Sequence, residues 1–196
     1  MPLLGLTGYP LSHSFSPAYF AEKFRLLNLH NWSYQLFPLE DISGIQSLIS
    51  EQPDLIALNV TIPHKQAILP YCGWLSEEVK AIGAANLVLI DRLSGAPMLK
   101  AYNTDHYGFE KSLETWYGKH SGRALVMGTG GASKAIQYSL QKQGRAFDLV
   151  GRSTTLQYSD LDLSAYELII NCTPAGMKNG SAESLLPLPY EKVHAG

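Results

Sequence analysis

The stretch Ile56-Ala57-Leu58-Asn59-Val60-Thr61-Ile62-Pro63-His64-Lys65 decides the fold. Its apolar and β-branched residues predict a buried strand, and Pro63 then breaks the pattern and can open a helix. Where the strand ends, an amide, a hydroxyl and an ammonium follow on Asn59, Thr61 and Lys65. Open α/β sheets bind ligands at the carboxyl ends of their strands, so these side chains are candidates for contact with a small polar molecule. A helix cap with a solvated lysine would show the same residues, so the stretch alone leaves both interpretations open.

The composition of the 196-residue chain is that of a globular protein. Hydrophobic residues make up 45% and charged residues 16%, and the formal net charge is −2. Such a chain is not disordered, and it offers no clustered basic surface for nucleic acid. No apolar run reaches membrane-spanning length, and the start lacks the basic region of a signal peptide. We therefore expect a cytoplasmic protein that acts on a small molecule, without a nucleic-acid or membrane partner.

The two cysteines and six histidines give no sign of a disulfide or a metal site. Cys72 and Cys172 belong to no C-x-x-C pair, so we expect both to be buried, reduced thiols. No two histidines stand four residues apart with an acidic partner, so no metal is expected.

Strand and helix patterns alternate along the first hundred residues, which predicts an α/β sheet. Ser16 is the predicted cap of the first helix, with Pro17 at its first position. Strands are predicted at residues 1–8, 32–37, 56–62, 86–91 and 98–101, and helices from Ser16, over 42–49, through 77–82 and from His106 to Trp116. We place the first domain at 1–101, a connecting helix and hinge at 102–120, and a second domain at 121–196.

A glycine-rich turn opens the second domain. Arg123–Met127 predicts a short strand, and Gly128-Thr129-Gly130-Gly131-Ala132-Ser133-Lys134-Ala135 follows it and opens a helix to about Lys142. Glycines allow close approach of the backbone, and a helix start offers unpaired N–H groups to a pyrophosphate. The spacing also approaches that of a nucleoside-triphosphate P-loop. Because Ser133 stands at its second glycine and Ala135 at its magnesium-binding hydroxyl, we favour a dinucleotide.

The end of the next strand distinguishes between the two nicotinamide cofactors. An NAD site places a carboxylate there for the ribose 2′-hydroxyl, whereas an NADP site favours an arginine for the 2′-phosphate. The segment reads Val150-Gly151-Arg152-Ser153-Thr154 and contains no carboxylate. A guanidinium beside two hydroxyls suits a phosphate, so NADP is the predicted cofactor.

A second polar cluster, Tyr102-Asn103-Thr104-Asp105, lies just before the connecting helix. Asp105 can cap that helix, and it also lies at the predicted hinge, where ligand clefts tend to form. If it faces Lys65, its carboxylate would orient the ammonium. The pair would then relay the proton that accompanies hydride transfer.

Six segments, in order along the chain, resemble motifs of the shikimate dehydrogenase family. They are Gly8–Pro17, Asn59–Lys65, Gly83–Asn86, Tyr102–Asp105, Gly128–Ala135 and Asn171–Met177. The family comprises NADP-dependent enzymes that reduce 3-dehydroshikimate to shikimate in the biosynthesis of chorismate and aromatic amino acids. The resemblance implies an N-terminal α/β substrate domain with a mostly parallel sheet, followed by a Rossmann-like dinucleotide-binding domain. It covers nearly the whole chain.

The resemblance also implies a role for each matching residue. Lys65 and Asp105 would be the catalytic acid–base pair, and Ser14 and Ser16 would bind the substrate carboxylate. Asn59, Thr61, Asn86 and Asp105 would contact the ring hydroxyls. The residues implied for NADP are Gly128, Thr129, Gly130, Gly131 and Ala132 at the pyrophosphate, Arg152 and Ser153 at the 2′-phosphate, and Asn171, Thr173 and Met177 beside the nicotinamide.

Three features depart from the family pattern. Leu87 stands where threonine is usual, and Gly151 precedes Arg152 where asparagine is common, with no second basic residue soon after. Family members also continue past the position of Gly196 with another strand and a glycine-rich helix, so we expect the second domain to be incomplete.

Three other functions remain open from the sequence. One is an NAD-using quinate/shikimate dehydrogenase, and another is a non-catalytic module that binds shikimate-like acids. A hydrolase using Ser14 or Ser16 is disfavoured, because no G-x-S-x-G elbow accompanies them. The protein is expected to be a monomer or a homodimer.

Overall fold

A computed structural model describes residues 1–93, 95–116, 122–176 and 186–188. The chain divides into two compact units, Met1–Thr104 (unit 1) and Asp105–Gly196 (unit 2). Within the described ranges, no helix is both long and apolar enough to cross a membrane.

Unit 1 is built on a six-stranded sheet in the order β2-β1-β3-β5-β6-β4. Strand β5 runs antiparallel to β3 and β6, and the remaining neighbours are parallel. In chain order the elements are β1 (Leu3–Gly8), α1 (Ser16–Leu26), β2 (Ser33–Pro38), α2 (Ile45–Glu51), β3 (Leu55–Val60), β4 (Trp74–Leu75), α3 (Glu77–Ile82), β5 (Leu87–Asp91) and β6 (Met98–Tyr102). The alternation predicted from the sequence is confirmed.

The core of unit 1 forms where apolar helix stripes meet the apolar strands. Ile45 and Ile49 stand four residues apart on α2, so they bury one face of this short helix against the sheet. Helix α3 begins where the Ser76 hydroxyl accepts a hydrogen bond from the Val79 N–H at 3.2 Å. It ends at Gly83, whose φ of 69° needs a residue that tolerates the left-handed region.

One expected helix cap and one expected helix were wrong in unit 1. Helix α1 begins at Ser16 itself without a side-chain cap, and its second residue is Pro17. The Ser16 N–H is instead bound by the Ser14 hydroxyl at 3.3 Å. After Pro63 the chain forms a series of turns rather than an α-helix, because His64 is buried and its Nε2–H donates to the Leu39 carbonyl at 2.6 Å, which holds the chain against the sheet.

Unit 2 contains a parallel three-stranded sheet in the order β8-β7-β9. Its elements are α4 (Asp105–Trp116), β7 (Ala124–Met127), α5 (Gly131–Lys142), β8 (Phe147–Val150) and β9 (Leu168–Asn171). All four residues of β7 are buried, as expected of a central strand covered on both faces. Ile136 and Leu140 of α5 pack on one face, and Leu161 and Leu163 pack on the other.

Helix α4 is held to α5 by polar contacts. The Ser139 hydroxyl donates to the His106 carbonyl at 3.2 Å, and the Glu110 carboxylate pairs with His106 and Lys142. Burial works to raise the pKa of Glu110, but the hydrogen bonds from the His106 and Lys142 side chains outweigh it, so the pKa is lowered. Glu110 is therefore ionised near neutral pH.

Cys72 and Cys172 are free thiols, but they are only half-buried, so the expectation of full burial was wrong. The burial they do have raises the pKa of each thiol to about 11.

Candidate active site

Several of the predicted segments of unit 1 meet at one edge of its sheet. This edge contains the carboxyl ends of β1, β3 and β6 and the start of β5, because β5 runs against its neighbours. The Thr61 N–H donates to the Thr7 carbonyl at 2.9 Å, and the Val60 N–H donates to the Asn86 carbonyl at 2.9 Å. The Asn86 N–H in turn donates to the Tyr102 carbonyl at 3.1 Å. Asn59, Thr61 and Asn86 thus share one edge, although Asn86 comes from a different segment than the other two.

The segment after β3 approaches β1 so closely that only glycine fits at position 8. A Cβ atom on Gly8 would overlap the Thr61 methyl group and lie 2.7 Å from the Ile62 carbonyl oxygen. The next residue, Tyr9, donates its N–H to that same carbonyl at 3.0 Å. Gly8 therefore places Thr61 at the sheet edge by allowing close backbone contact.

Asn59 is hydrogen-bonded to Tyr34, a residue that the sequence did not single out. The Tyr34 hydroxyl donates to Asn59 Oδ1 at 2.9 Å, and the Ser16 side chain lies close enough to affect the pKa of Tyr34. Its ring stacks on Phe20 with centroids 4.3 Å apart and planes at 6°. Burial raises the pKa of Tyr34 to about 12, against the lowering effect of the Ser16 side chain. Tyr34 therefore keeps its proton near neutral pH.

The alternation of side chains along β2 could have identified Tyr34 from the sequence. In a strand, every second residue faces the same side. Tyr34 and Leu36 face one side of β2, and Phe20 of α1 packs there. A phenol on an otherwise apolar, helix-covered face needs a hydrogen-bond partner, and a polar residue on a neighbouring strand is the natural candidate.

Asn86 holds the segment that leads out of unit 1. Its Oδ1 accepts the Thr104 N–H at 2.7 Å, and its Nδ2 donates to the Thr104 hydroxyl at 2.9 Å. The neighbouring Asn103 is buried and donates from Nδ2 to the Ala84 carbonyl at 2.9 Å. The motifs Gly83–Asn86 and Tyr102–Asp105 therefore form one hydrogen-bonded structure, a role for Asn86 and Thr104 that the sequence did not reveal.

Lys65 lies in the turns that follow β3 and is half-buried. Its carbonyl accepts the Ala85 N–H at 2.7 Å, which joins this turn to the segment that carries Asn86. Asp105 is the first residue of α4. Lys65 and Asp105 belong to different units, and their pairing stays a prediction.

The three segments predicted for the cofactor meet at the carboxyl edge of the sheet of unit 2. The glycine-rich turn follows β7. The segment from Gly151 follows β8, and the segment from Asn171 begins at the last residue of β9. The Gly128 N–H donates to the Val150 carbonyl at 2.8 Å, and the Cys172 N–H donates to the Met127 carbonyl at 2.9 Å. Since β8 and β9 lie on opposite sides of β7, this edge is a topological switch point, where open α/β sheets bind ligands.

The turn itself is made of backbone rather than side chains. Gly128 has a φ of 105°, and a Cβ there would lie 3.1 Å from the Thr173 methyl and 3.2 Å from the Cys172 carbonyl. Helix α5 begins after Gly130 without a side-chain cap, so its first N–H groups are available to an anion. Ser133 stands where the dinucleotide pattern G-x-G-x-x-G has its third glycine. The helix accommodates this serine, because it is fully buried and its hydroxyl accepts a hydrogen bond from Gln137 at 3.0 Å.

The loop after β8 is shaped by Thr154. Its hydroxyl accepts the Gly151 N–H at 2.8 Å and lies 2.8 Å from the Leu156 carbonyl. This turn leaves Arg152 and Ser153 exposed. Burial raises the pKa of Tyr158, against the lowering effect of the Arg152 charge.

The side chains of Asn171 and Thr173 form hydrogen bonds within the loop that follows β9. Asn171 Oδ1 accepts both the Thr173 N–H at 2.9 Å and the Thr173 hydroxyl at 2.7 Å. Asn171 Nδ2 donates to the Ala175 carbonyl at 3.2 Å. They form an Asx turn beside Gly128, so the loop shape depends on them. Met177 lies outside the described residues.

Across the described ranges, no three histidine, cysteine, aspartate or glutamate side chains come close enough to hold a metal ion.

Comparison with known proteins identifies the family. A family model described as the shikimate dehydrogenase substrate binding domain matches residues 6–88. A Staphylococcus epidermidis protein named shikimate dehydrogenase (NADP(+)) is 36% identical over 198 residues, covering 92% of this chain and 71% of that protein. A Staphylococcus aureus protein of the same name is 34% identical over a match that covers 93% of this chain and 72% of that protein.

Solved structures agree with this assignment and with the predicted fold. A crystal structure of shikimate dehydrogenase 1 from Peptoclostridium difficile superposes with a TM-score of 0.84 at 32% identity, covering 96% of this chain and 72% of the other. Shikimate 5-dehydrogenase from Thermus thermophilus, in complex with NADP(H) and shikimate, gives 0.81 at 28% identity, covering 98% and 75%. The predicted pairing of an N-terminal substrate domain with a Rossmann-like domain is confirmed. This chain belongs to the shikimate dehydrogenase family.

Proposed function

We propose that this protein is an NADP-dependent shikimate dehydrogenase, which catalyses the reversible reduction of 3-dehydroshikimate to shikimate. The relatives' names support the activity and the cofactor. The observation that carries the proposal is the edge of unit 1, where Asn59, Thr61 and Asn86 come together beside a half-buried lysine. Several neutral hydrogen-bonding groups at one place discriminate strongly among hydroxyl positions, as recognition of a polyhydroxy acid requires.

Unit 1 holds the substrate. Ser14 and Ser16 bind its carboxylate, while Asn59, Thr61, Asn86 and Asp105 contact its hydroxyls. Two hydrogen bonds support this assignment, from the Ser16 N–H to Ser14 and from Tyr34 to Asn59, because each fixes a side chain in one group of contacts. Next to Asn86, Leu87 puts an apolar side chain where threonine is usual in the family.

Lys65 and Asp105 form the acid–base pair. In the direction of reduction, Lys65 Nζ gives a proton to the carbonyl oxygen of the substrate, which becomes the new hydroxyl. In the direction of oxidation, it takes that proton back. Asp105 at the start of α4 is the second member of the pair. NADPH, when bound, supplies the hydride that the carbonyl carbon accepts.

Unit 2 holds NADP. The start of α5 and the turn Gly128–Ala132 fit a pyrophosphate, because the helix start has no side-chain cap and a Cβ at Gly130 would meet no atom within 4 Å. Arg152 and Ser153, exposed at the end of β8, suit a 2′-phosphate. The residues assigned to the nicotinamide end of the cofactor are Asn171, Thr173 and Met177. The protein works in the cytoplasm as a monomer or a homodimer.

Four assays on the full chain test the proposal. Shikimate or quinate is supplied with NADP or NAD, and cofactor reduction is followed by absorbance. We expect the highest kcat/KM with shikimate and NADP. Preference for NAD, or for quinate, would point to the quinate/shikimate dehydrogenase instead. Shikimate binding by calorimetry without reduction of either cofactor would identify a non-catalytic binding module.

A further inference from the structure

We propose that Tyr34 is a positioning residue for substrate recognition: its hydroxyl fixes the Asn59 side-chain amide so that the amide N–H groups face the substrate. This inference rests on the proposed function, since it concerns how the same site selects a hydroxylated acid. Tyr34 itself need not touch the substrate, because it acts through Asn59.

The sheet register places the two residues on one face. Strand β1 lies between β2 and β3, and Leu4 pairs with Tyr34 while Leu6 pairs with Asn59. Leu4 and Leu6 face the same side because side chains alternate along a strand. Tyr34 and Asn59 are therefore diagonal neighbours across β1, and the long tyrosine side chain reaches the amide at 2.9 Å.

The number of protons on each group determines the direction of the hydrogen bonds. The Tyr34 hydroxyl has one proton, and it donates that proton to Asn59 Oδ1. An asparagine amide has an acceptor at one end and two donors at the other, so the end left for a ligand is Nδ2. Asn59 is thus set to donate to a hydroxyl oxygen of the substrate.

The environment of Tyr34 keeps this arrangement in place. Stacking on Phe20 holds the ring, and the phenol stays protonated because burial raises the pKa to about 12. The stacked ring and its protonated hydroxyl therefore hold the Asn59 amide in one orientation.

Tyr34→Phe tests the proposal, because it removes the hydroxyl and keeps the ring that stacks on Phe20. We expect the KM for shikimate to rise about 3- to 10-fold, part of the value of one hydrogen bond, with the KM for NADP unchanged and kcat within about twofold. Tyr71→Phe, at a tyrosine outside the site, is the matched control and should leave all three constants unchanged.

A double-mutant cycle separates positioning from a general structural effect. If Tyr34 acts through Asn59, then Tyr34→Phe should change the KM for shikimate less than twofold in an Asn59→Ala background. The same fold-change in both backgrounds would overturn the proposal, and so would an unchanged KM in the single Tyr34→Phe variant.

Two further measurements keep the proposal independent of folding and of activity. Asn59→Asp keeps an acceptor for Tyr34 but has no donor at the other end, so a KM for shikimate within twofold of wild type would overturn the proposal even if Tyr34→Phe does not fold. In ¹⁵N spectra, the Asn59 side-chain amide signals, assigned by their loss in Asn59→Ala, should shift in Tyr34→Phe, and unshifted signals would also overturn it. Because this signature needs no turnover, an inactive wild-type chain would contradict the proposed function without deciding the role of Tyr34.

Discussion

The two candidate sites of this protein are built from different parts of the chain. At the edge of unit 1, side chains bond to one another across elements, as in Tyr34 with Asn59 and Asn86 with Thr104. At the edge of unit 2, the backbone forms the site, through the turn at Gly128 and the uncapped start of α5. The side chains there, such as Asn171, mostly shape their own loop.

This difference follows from what each site has to recognise. A ring with several hydroxyls is distinguished from its isomers by individually placed donors and acceptors, and only side chains offer that variety. A pyrophosphate is the same in every dinucleotide, so backbone N–H groups and a helix start suffice. The reaction with substrate at unit 1 should therefore be sensitive to the loss of a side-chain group. Binding of the cofactor at unit 2 should be sensitive to the addition of one.

Lys65→Ala should show the largest effect of losing a side chain. Removing the proton donor should lower kcat by about 10²- to 10⁴-fold, the usual contribution of general acid–base catalysis. Steady-state assays at saturating shikimate measure this effect, and NADP binding by calorimetry should not change. Lys80→Ala is the control, because Lys80 is an exposed lysine on α3 that pairs with Glu77 at 2.6 Å. A loss of less than threefold in Lys65→Ala would exclude Lys65 as the proton donor.

Gly128→Ala should show the effect of adding a single methyl group to the backbone-built site. The φ of 105° strains any L-residue, and the new Cβ would press on Thr173 and Cys172. We expect the KM for NADP to rise by at least about tenfold while the KM for shikimate stays within twofold.

Gly144→Ala is the matched control for Gly128→Ala. Gly144 also has a positive φ, of 67°, but a Cβ there would meet no atom within 4 Å. Gly144→Ala should lower the stability by about 1 kcal/mol and leave both KM values unchanged. An equal rise in the KM for NADP in both variants would mean that backbone strain, not the shape of the turn, is responsible.

Arg152→Ala tests the exception in unit 2, a side chain expected to recognise one group. Loss of a charge-assisted hydrogen bond to the 2′-phosphate should raise the KM for NADP about tenfold and leave the KM for NAD unchanged. Arg25→Ala, which removes an exposed arginine of α1, should change neither. A parallel rise for both cofactors would place Arg152 away from the 2′-phosphate.

Thr7→Val removes a buried hydroxyl that, unlike the hydroxyl of Tyr34, forms no hydrogen bond within the described residues. Thr7 is fully buried, and within the described part of the chain its hydroxyl has no hydrogen-bond partner. Valine has the same shape, so the free energy of unfolding should rise by about 1 kcal/mol. Urea unfolding measures it, and Thr115→Val on the exposed face of α4 should stay within about 0.5 kcal/mol. A less stable Thr7→Val protein would show that the hydroxyl is satisfied.

The pH dependence of stability should report a side-chain network in unit 2 outside its site. Asp148 accepts two hydrogen bonds from Arg123, at 2.7 and 2.6 Å, and one from the Tyr166 hydroxyl at 2.7 Å. Hydrogen bonds from Arg123 and Tyr166 lower the pKa of Asp148 below its ordinary value. Its contribution is therefore complete above the unfolded-state pKa, near 4, and is lost as the pH falls through the lower folded-state pKa.

Urea unfolding at pH 7 and pH 3 checks this expectation. Because the pair is partly exposed, Asp148→Asn should cost roughly 1 kcal/mol at pH 7 and less at pH 3. A difference from wild type that does not change with pH would contradict it.

The sequence predicted most of the elements because their signals are local. The glycine-rich turn and the helix to Lys142 depend on neighbouring residues only, and both are present in the structure. The prediction failed at Pro63, where the hydrogen bond between His64 and the distant Leu39 outweighs local preference. The cap at Ser16 also failed, because Ser16 is the first residue of α1. The catalytic pairing of Lys65 with Asp105 stays a prediction, since it joins residues of different units.

By itself, then, the sequence determined the alternation of strands and helices, the family, and the residue types available at each site. Only the tertiary structure decided which of those side chains are bound to each other. Tyr34 and Asn59 are 25 residues apart, and their hydrogen bond exists because β1 inserts between β2 and β3 in this register. A hydrogen bond across strands depends on strand order and register, which arise from burial of the whole sheet and not from any local pattern.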